Sequence, residues 1–208
     1  MKNIDVSIAF VSGEIALDEY MNMALSDPSV FEALQELVPN GAKRCVQKIE
    51  NGQIVVSYIP YIVSSYLTEM YNRGLIDDYL NIFAEVRDIV LSEYPDTYGD
   101  SSIEERFCFI MVQTPAYIGG HEAERILMDI YEELKDIPLP KRKKAYHDQA
   151  KLTFHITDIF PHWIQSPEWP CKNGLPMKFV SEKKIKEGLE YVFCDTKTNE
   201  TVTIKQFY

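Results

Sequence analysis

The sequence lacks the short motifs that identify the common enzyme classes. It has no glycine-rich phosphate loop, no HExxH or GxSxG motif, and no pair of histidines on one predicted helix. Cys171, His162 and Asp158 could supply a thiol, a base and an orienting carboxylate, but nothing in their spacing singles them out. We therefore predict that the protein is not an enzyme.

Cysteine is scarce, which excludes a dense disulfide framework. The four cysteines are widely spaced and sit mostly in apolar surroundings: Cys45, Cys108, Cys171 and Cys194. In a chain of 208 residues this pattern favours reduced, buried thiols.

Long apolar runs are also missing. The longest, residues 54–67, contains Pro60 and three serines and is shorter than the roughly 20 residues needed to cross a bilayer. Asp5 and Glu14 interrupt the N-terminal apolar segment, so no signal peptide is expected. The sequence predicts a soluble cytoplasmic protein without a membrane partner.

Basic residues are few, and most lie late in the chain. The formal charge is -11, with 24 acidic and 9 basic residues in 1–140 but 8 and 12 in 141–208. This excess of acid argues against nucleic acid and favours a basic protein partner. The composition changes at IPLPKRKKAYHDQ, so we predict a linker near Pro140 between an acidic helical domain, 1–140, and a small β-rich domain, 141–208. The basic run is interpreted as a solvated turn, with an anion site as the alternative.

Helical spacing of apolar residues dominates the first domain. It predicts helices over 75–94 and 121–137. Further helices are predicted over 27–38, capped by Asp27, over 60–74, ended by Gly74, and over 100–112, capped by Asp100, Ser101 or Ser102. These helices indicate an irregular bundle or a short α-solenoid.

Strand patterns appear after the composition change. Residues 151–160 alternate apolar and polar side chains, and residues 191–194 and 201–207 flank a turn as a terminal hairpin. The fold class is therefore predicted as α+β, with a small antiparallel β-domain after the helices.

The segment 160–180 contains both tryptophans. Trp163, Gln165 and Trp169 are candidate binding residues if they form a ligand platform, while the alternative is a scaffold stiffened by prolines. Cys171 and Cys194 each precede a turn, as in a degenerate zinc ribbon. A structural zinc site needs four ligands, two from each turn, and each of these turns offers one thiol. No metal or other cofactor is therefore predicted.

A resemblance rests on these same residues. The runs PHWIQSPEWP, GLPMKFV and YVFCDTKTNETVTIKQFY are similar to the C-terminal segment of YwqG-like bacterial proteins, over about 160–208. The acidic helical half resembles domains found beside polymorphic-toxin immunity proteins. Both resemblances imply a cytoplasmic immunity or accessory protein.

The remaining candidate binding residues are carboxylates of the helix predicted over 75–94. Their surplus over basic residues indicates a negative face, with plain solubility as the alternative: Asp77, Asp78, Glu85 and Asp88. The sequence thus predicts a non-enzymatic cytoplasmic protein-binding protein, an immunity protein that neutralises a basic toxin through its acidic helical face. The alternative is a small-molecule-binding protein or hydrolase with a tryptophan-lined cleft between the domains.

Overall fold

A computed structural model describes residues 3–50, 53–99 and 102–208 of the chain. The fold is α+β, as predicted, with the helices mostly in the N-terminal part and the strands mostly in the C-terminal part. Within these ranges no helix is long and apolar enough to span a bilayer.

The chain divides into two compact units, Met1–Glu105 and Arg106–Tyr208. The helices are α1 Asn3–Val11, α2 Leu17–Ser26, α3 Ser29–Gln35, α4 Val63–Arg73, α5 Ile76–Glu93, α6 Ser102–Gln113, α7 His121–Leu134 and α8 Leu139–Thr153. The strands are β1 Lys43–Glu50, β2 Gln53–Pro60, β3 Cys171–Lys172, β4 Leu175–Pro176, β5 Lys178–Ile185, β6 Gly188–Cys194 and β7 Thr201–Phe207.

An aromatic cluster forms the centre of the first unit. Phe10 of α1 stacks on Tyr20 of α2 with ring centroids 4.5 Å apart, and it meets Phe83 of α5 edge-on at 5.6 Å. All three rings are buried. Because α5 turns Ile82, Phe83, Val86 and Val90 inward at helical spacing, the predicted amphipathic helix is confirmed.

Local sequence sets the ends of these helices. Asp27 Oδ1 accepts the backbone N–H of Ser29 at 3.1 Å, which caps the start of α3 as predicted. Gly74 ends α4 in the left-handed region, at a φ of 65°, where its N–H donates to the carbonyl of Met70. The predicted capping positions 100 and 101 lie outside the described residues.

Among the described residues, the second unit contains two sheets and the first unit contains one hairpin. The antiparallel sheet β5-β6-β7 buries Phe179, Tyr191 and Phe193, and β3 pairs with β4. The terminal hairpin predicted over 191–207 is confirmed by β6 and β7. The hairpin β1-β2 lies between α3 and α4 and was not predicted.

The strand predicted over 151–160 is wrong. Residues 151–153 form the last turn of α8, and the chain then continues without regular structure. Tyr146, Ala150 and Phe154 are all buried and recur every four residues. That spacing is helical, and it overrides a short alternation that the end of a helix shares with a strand.

The break predicted near Pro140 lies inside a helix. Pro138 precedes α8 and Pro140 occupies its first turn, where the missing N–H would be unpaired anyway, so the basic run continues as helix. The second unit begins at residue 106, within α6, and contains α7 and α8 as well as β3 to β7. Of the cysteines, expected to be buried, Cys45 and Cys108 are exposed.

Candidate functional site

Helix α5 presents two of its predicted acidic residues to solvent. Asp77, in its first turn, and Asp88, three turns later, are both exposed, and the Asp88 side chain is 73% accessible. Asp88 has a long contact to its neighbour Arg87, at 3.5 Å from Nε. Residues eleven apart lie on one side of a helix, so both carboxylates face the same way, about 16 Å apart along the axis.

Asp78 has a structural role. It is 4% exposed, and Arg73 Nε and Nη2 donate to its two carboxylate oxygens at 3.1 and 2.5 Å. The hydrogen bond to Asp78 raises the pKa of Arg73. This two-point contact joins the end of α4 to the start of α5, so Asp78 does not belong to an accessible acidic face.

Glu85 is half-buried and already bonded. Its Oε1 accepts the hydroxyl of Tyr61 at 2.7 Å. Burial, followed by this hydrogen bond to Glu85, raises the pKa of Tyr61. Glu85 therefore borders the exposed row of α5 and also fixes the segment between β2 and α4.

Other carboxylates of the acidic domain predicted over 1–140 are paired as well. Arg87 contacts Glu104, and Arg106 and Lys135 contact Glu132 at 3.1 and 3.2 Å. The acidic domain predicted over 1–140 also passes from the first unit, Met1–Glu105, into the second. The candidate site is therefore the exposed side of α5, with Asp77 and Asp88 as its charges.

Trp169 is an internal residue of the second unit. It is 3% exposed, its Nε1 donates to the carbonyl of Met177 at 2.8 Å, and its backbone N–H donates to Gly119 at 2.9 Å. Its ring meets Phe154 and Phe193 edge-on at 5.4 and 5.3 Å. A ring enclosed in this way has no free face for a ligand.

Trp163 is half-buried and joins the sheet to the loop between α6 and α7. Its ring packs against Tyr191 and Phe193 of β6 at centroid distances of 4.5 and 5.9 Å. Its Nε1 donates to the carbonyl of Tyr117 at 2.9 Å. These contacts are those expected of the scaffold interpretation.

A buried glutamine holds the tryptophan segment against the sheet. Gln206 of β7 accepts the N–H groups of Ile164 and Gln165 at 3.1 and 2.9 Å and donates to the carbonyl of Ser166 at 2.8 Å. Gln165 itself is exposed and donates to the carbonyl of Phe207 at 2.7 Å. The pattern of the sequence did not indicate Gln206, because its partners lie about forty positions earlier.

Replacing Gln206 by leucine is expected to lower the free energy of unfolding by about 1–2 kcal/mol, because the N–H of Gln165 and the carbonyl of Ser166 lose their partner, while the N–H of Ile164 keeps the hydroxyl of Tyr191. Gln165→Leu removes one exposed hydrogen bond and serves as the matched control, with an expected loss below about 1 kcal/mol. Urea unfolding followed by circular dichroism measures both variants. Equal losses of unfolding free energy in the two variants would contradict the role of Gln206 in holding the tryptophan segment against the sheet.

His162 and Cys171, two of the three candidate catalytic residues, lie in surroundings that do not suit catalysis. His162 Nδ1 lies 2.9 Å from Glu182 Oε1, and not on Asp158. Burial, with a smaller contribution from the charge of Glu122, raises the pKa of Cys171 to about 12, the opposite of an activated thiol. Within the described ranges no three His, Cys, Asp or Glu side chains group together as metal ligands.

The turn after Cys171 has a simple explanation in its backbone. Asn173 and Gly174 both adopt positive φ, at 53° and 72°. This is the geometry of a tight two-residue turn, for which Asn-Gly is the favoured sequence. The β3-β4 turn is therefore explained by its local sequence.

Comparison with known proteins gives the chain no relative. No family model, no curated protein and no solved structure matches it. The resemblances to YwqG-like proteins and to immunity-associated helical domains stay predictions.

Proposed function

We propose that this chain is a non-enzymatic cytoplasmic protein that binds a basic protein through the exposed side of α5, as an immunity protein that neutralises a toxin. The observation that carries the proposal is the pair Asp77 and Asp88, exposed on one side of a helix that is packed firmly on its other side. Between them on this side lie Asn81, which is exposed, and Glu85. A rigid row of acceptors suits lysine and arginine side chains.

Long-range charge supports the same partner. Residues 1–105 contain 18 acidic and 6 basic side chains. A field of this sign repels other acidic proteins and steers a cationic partner toward the surface. A nuclease toxin needs a positive cleft to hold phosphates, and the carboxylates of α5 could occupy that cleft in their place.

The packing of the tryptophans favours this proposal over a tryptophan-lined ligand site. Both indole N–H groups donate to backbone carbonyls inside the second unit, and the ring of Trp169 is enclosed. No observation within the described ranges favours the small-molecule or hydrolase alternative.

The proposal predicts that an Asp77→Asn, Asp88→Asn double variant loses binding. Each exposed charge pair contributes about 0.5–1 kcal/mol, so retention of a basic protein should fall about fivefold to thirtyfold. The measurement is a pull-down at low salt from a lysate of the source cells, with the bound protein identified by mass spectrometry.

A matched control removes the same charge elsewhere. Glu168 and Glu187 are exposed residues of the second unit, and Glu168→Gln, Glu187→Gln should retain the partner as the unchanged chain does. Retention that is equal in both double variants, or a complete lack of a basic protein on the unchanged chain, would contradict the proposal.

A further inference from the structure

The hairpin β1-β2 has an apolar face that points to solvent. The two strands pair in register from Lys43 with Pro60 to Glu50 with Gln53. On one face of β2, Ile54, Val56 and Tyr58 are 70%, 51% and 69% exposed. Adjacent exposed side chains of this kind mark an interaction surface.

The opposite face of the hairpin is turned toward α4. Arg44 of β1 lies on that face, where Nη2 contacts Glu69 at 3.0 Å and the guanidinium lies 5.1 Å from the ring centre of Tyr66. Val55 and Ile59, which share this face, are less exposed than Ile54 and Tyr58. These contacts hold the hairpin in place within the first unit and leave the other face outward.

The edge of β2 that faces away from β1 presents backbone N–H and C=O groups of the same three residues. The N–H of Tyr61 donates to the carbonyl of Ala42 at 2.9 Å, so residues 42 and 61 form a hydrogen-bonded pair. Such pairs alternate in an antiparallel ladder. The N–H and C=O groups of Ile54, Val56 and Tyr58 therefore point away from β1, and within the described ranges the sheet has no third strand.

The two edges of the hairpin differ in charge. The β1 edge has Lys43, Arg44 and Lys48, and lysine on an edge strand discourages pairing with another chain. The β2 strand, from Gln53 to Pro60, has no ionisable group except the phenol of Tyr58. The edge that is left unprotected is thus the one that also presents the apolar side chains.

We propose that β2 pairs antiparallel with β2 of a second copy of this chain, which joins two hairpins into a four-stranded sheet. The register that uses all three outward residues places the two-fold axis at Val56. Val56 then lies opposite Val56 of the other copy, and Ile54 lies opposite Tyr58 of the other copy. Such an aromatic and β-branched pair stabilises sheets. This inference does not depend on the proposed function.

Charge is compatible with a second copy as the occupant, since β2 has no charged residue and the charges of the hairpin lie on β1, the strand farther from the proposed interface. The hairpin, 43–60, has three basic residues and one acidic residue in a chain whose total is -11. In the four-stranded sheet the two β1 strands would lie about 14 Å apart, so at physiological salt their like charges, and the more distant acidic surfaces, are screened beyond about 8 Å. A two-stranded sheet is marginally stable alone, so both copies gain from the added strands.

The central test is Val56→Lys, which places two like charges directly opposite each other at the two-fold axis. The unchanged chain should sediment as a dimer in analytical ultracentrifugation, and the variant should have a dissociation constant at least about tenfold higher. Gln47→Lys is the matched control, since Gln47 lies across from Val56 on the protected strand. It should leave the dimer unchanged.

A second measurement tests the register directly. In a chain with Cys45→Ser and Cys108→Ser, which removes the two exposed thiols, Val56→Cys should form an intermolecular disulfide under mild oxidation, whereas Val55→Cys should not. Far-UV circular dichroism and thermal unfolding would confirm that every variant is folded.

Several results would overturn the proposal. The unchanged chain could sediment as a monomer at all concentrations, or Val56→Lys could leave the dimer intact. If Gln47→Lys weakened the dimer as strongly as Val56→Lys, the β2 edge would not be the dimer interface. The proposal would also be wrong if the chain stayed monomeric and a different protein bound to the hairpin.

Discussion

Replacing Trp169 by alanine is expected to lower the free energy of unfolding by about 3–5 kcal/mol, the range for removing a large buried aromatic side chain. The change removes the ring contacts to Phe154 and Phe193 and leaves a cavity between the end of α8 and the sheet. It also leaves the carbonyl of Met177 without its indole donor.

Trp163→Ala is the matched comparison, because it deletes the other indole from the same segment. Trp163 is half-buried, so a smaller loss is expected, about 2 kcal/mol. Guanidinium unfolding followed by far-UV circular dichroism measures both without relying on tryptophan fluorescence. A larger loss for Trp163→Ala than for Trp169→Ala would contradict the assignment of Trp169 as the internal residue.

The helices were predictable where one apolar stripe decides the local structure. In α5 and α7 the stripe spans several turns, and the structure buries those positions. Gly74 after α4 and Asp27 before α3 act within a few residues of their own positions. Such local interactions can be read from the sequence because they do not depend on distant partners.

Other elements were missed for identifiable reasons. The hairpin β1-β2 is flanked in sequence by helices, and its apolar run, residues 54–67, continues past Pro60 into α4, so β2 does not stand out as a separate strand. The dipeptide Asn51-Gly52 between two strand-like runs was the available signal, since Asn-Gly strongly favours a hairpin turn. Around residue 152, a short alternation of apolar and polar residues favoured a strand over the helical spacing of the buried residues Tyr146, Ala150 and Phe154.

The candidate site was predictable in composition but not in detail. Acidic residues on α5 could be counted in the sequence, but their accessibility depends on partners elsewhere. Asp78 is buried by Arg73, which belongs to α4, and Glu85 is held by Tyr61. The role of the tryptophan segment depends on Gln206, about forty residues away, so its scaffold contacts could be recognised only in three dimensions.

Replacing Gly188 by alanine is expected to destabilise the second unit by about 3 kcal/mol, the upper part of the usual range for overpacking. A Cβ at this position would lie 1.9 Å from the carbonyl oxygen of Gln206 and 3.0 Å from the Cα of Phe207. Both obstacles are backbone atoms of β7, so no side chain can rotate to make room. Strand β7 must move instead, and Gln206 moves with it away from Ile164 and Gln165.

Gly174→Ala separates this steric effect from the conformational freedom of glycine. Gly174 has a φ of 72° and open space around its Cβ position, so alanine there should cost about 1 kcal/mol from backbone strain alone. Urea unfolding monitored by the fluorescence of Trp163 and Trp169 compares the two variants in the same unit. Because Gln206 moves in Gly188→Ala, amide hydrogen exchange at Gln165 should also accelerate in that variant and stay unchanged in Gly174→Ala. Equal stabilities of the two variants, or unchanged exchange at Gln165 in Gly188→Ala, would show that β6 and β7 are not packed as closely as this contact requires.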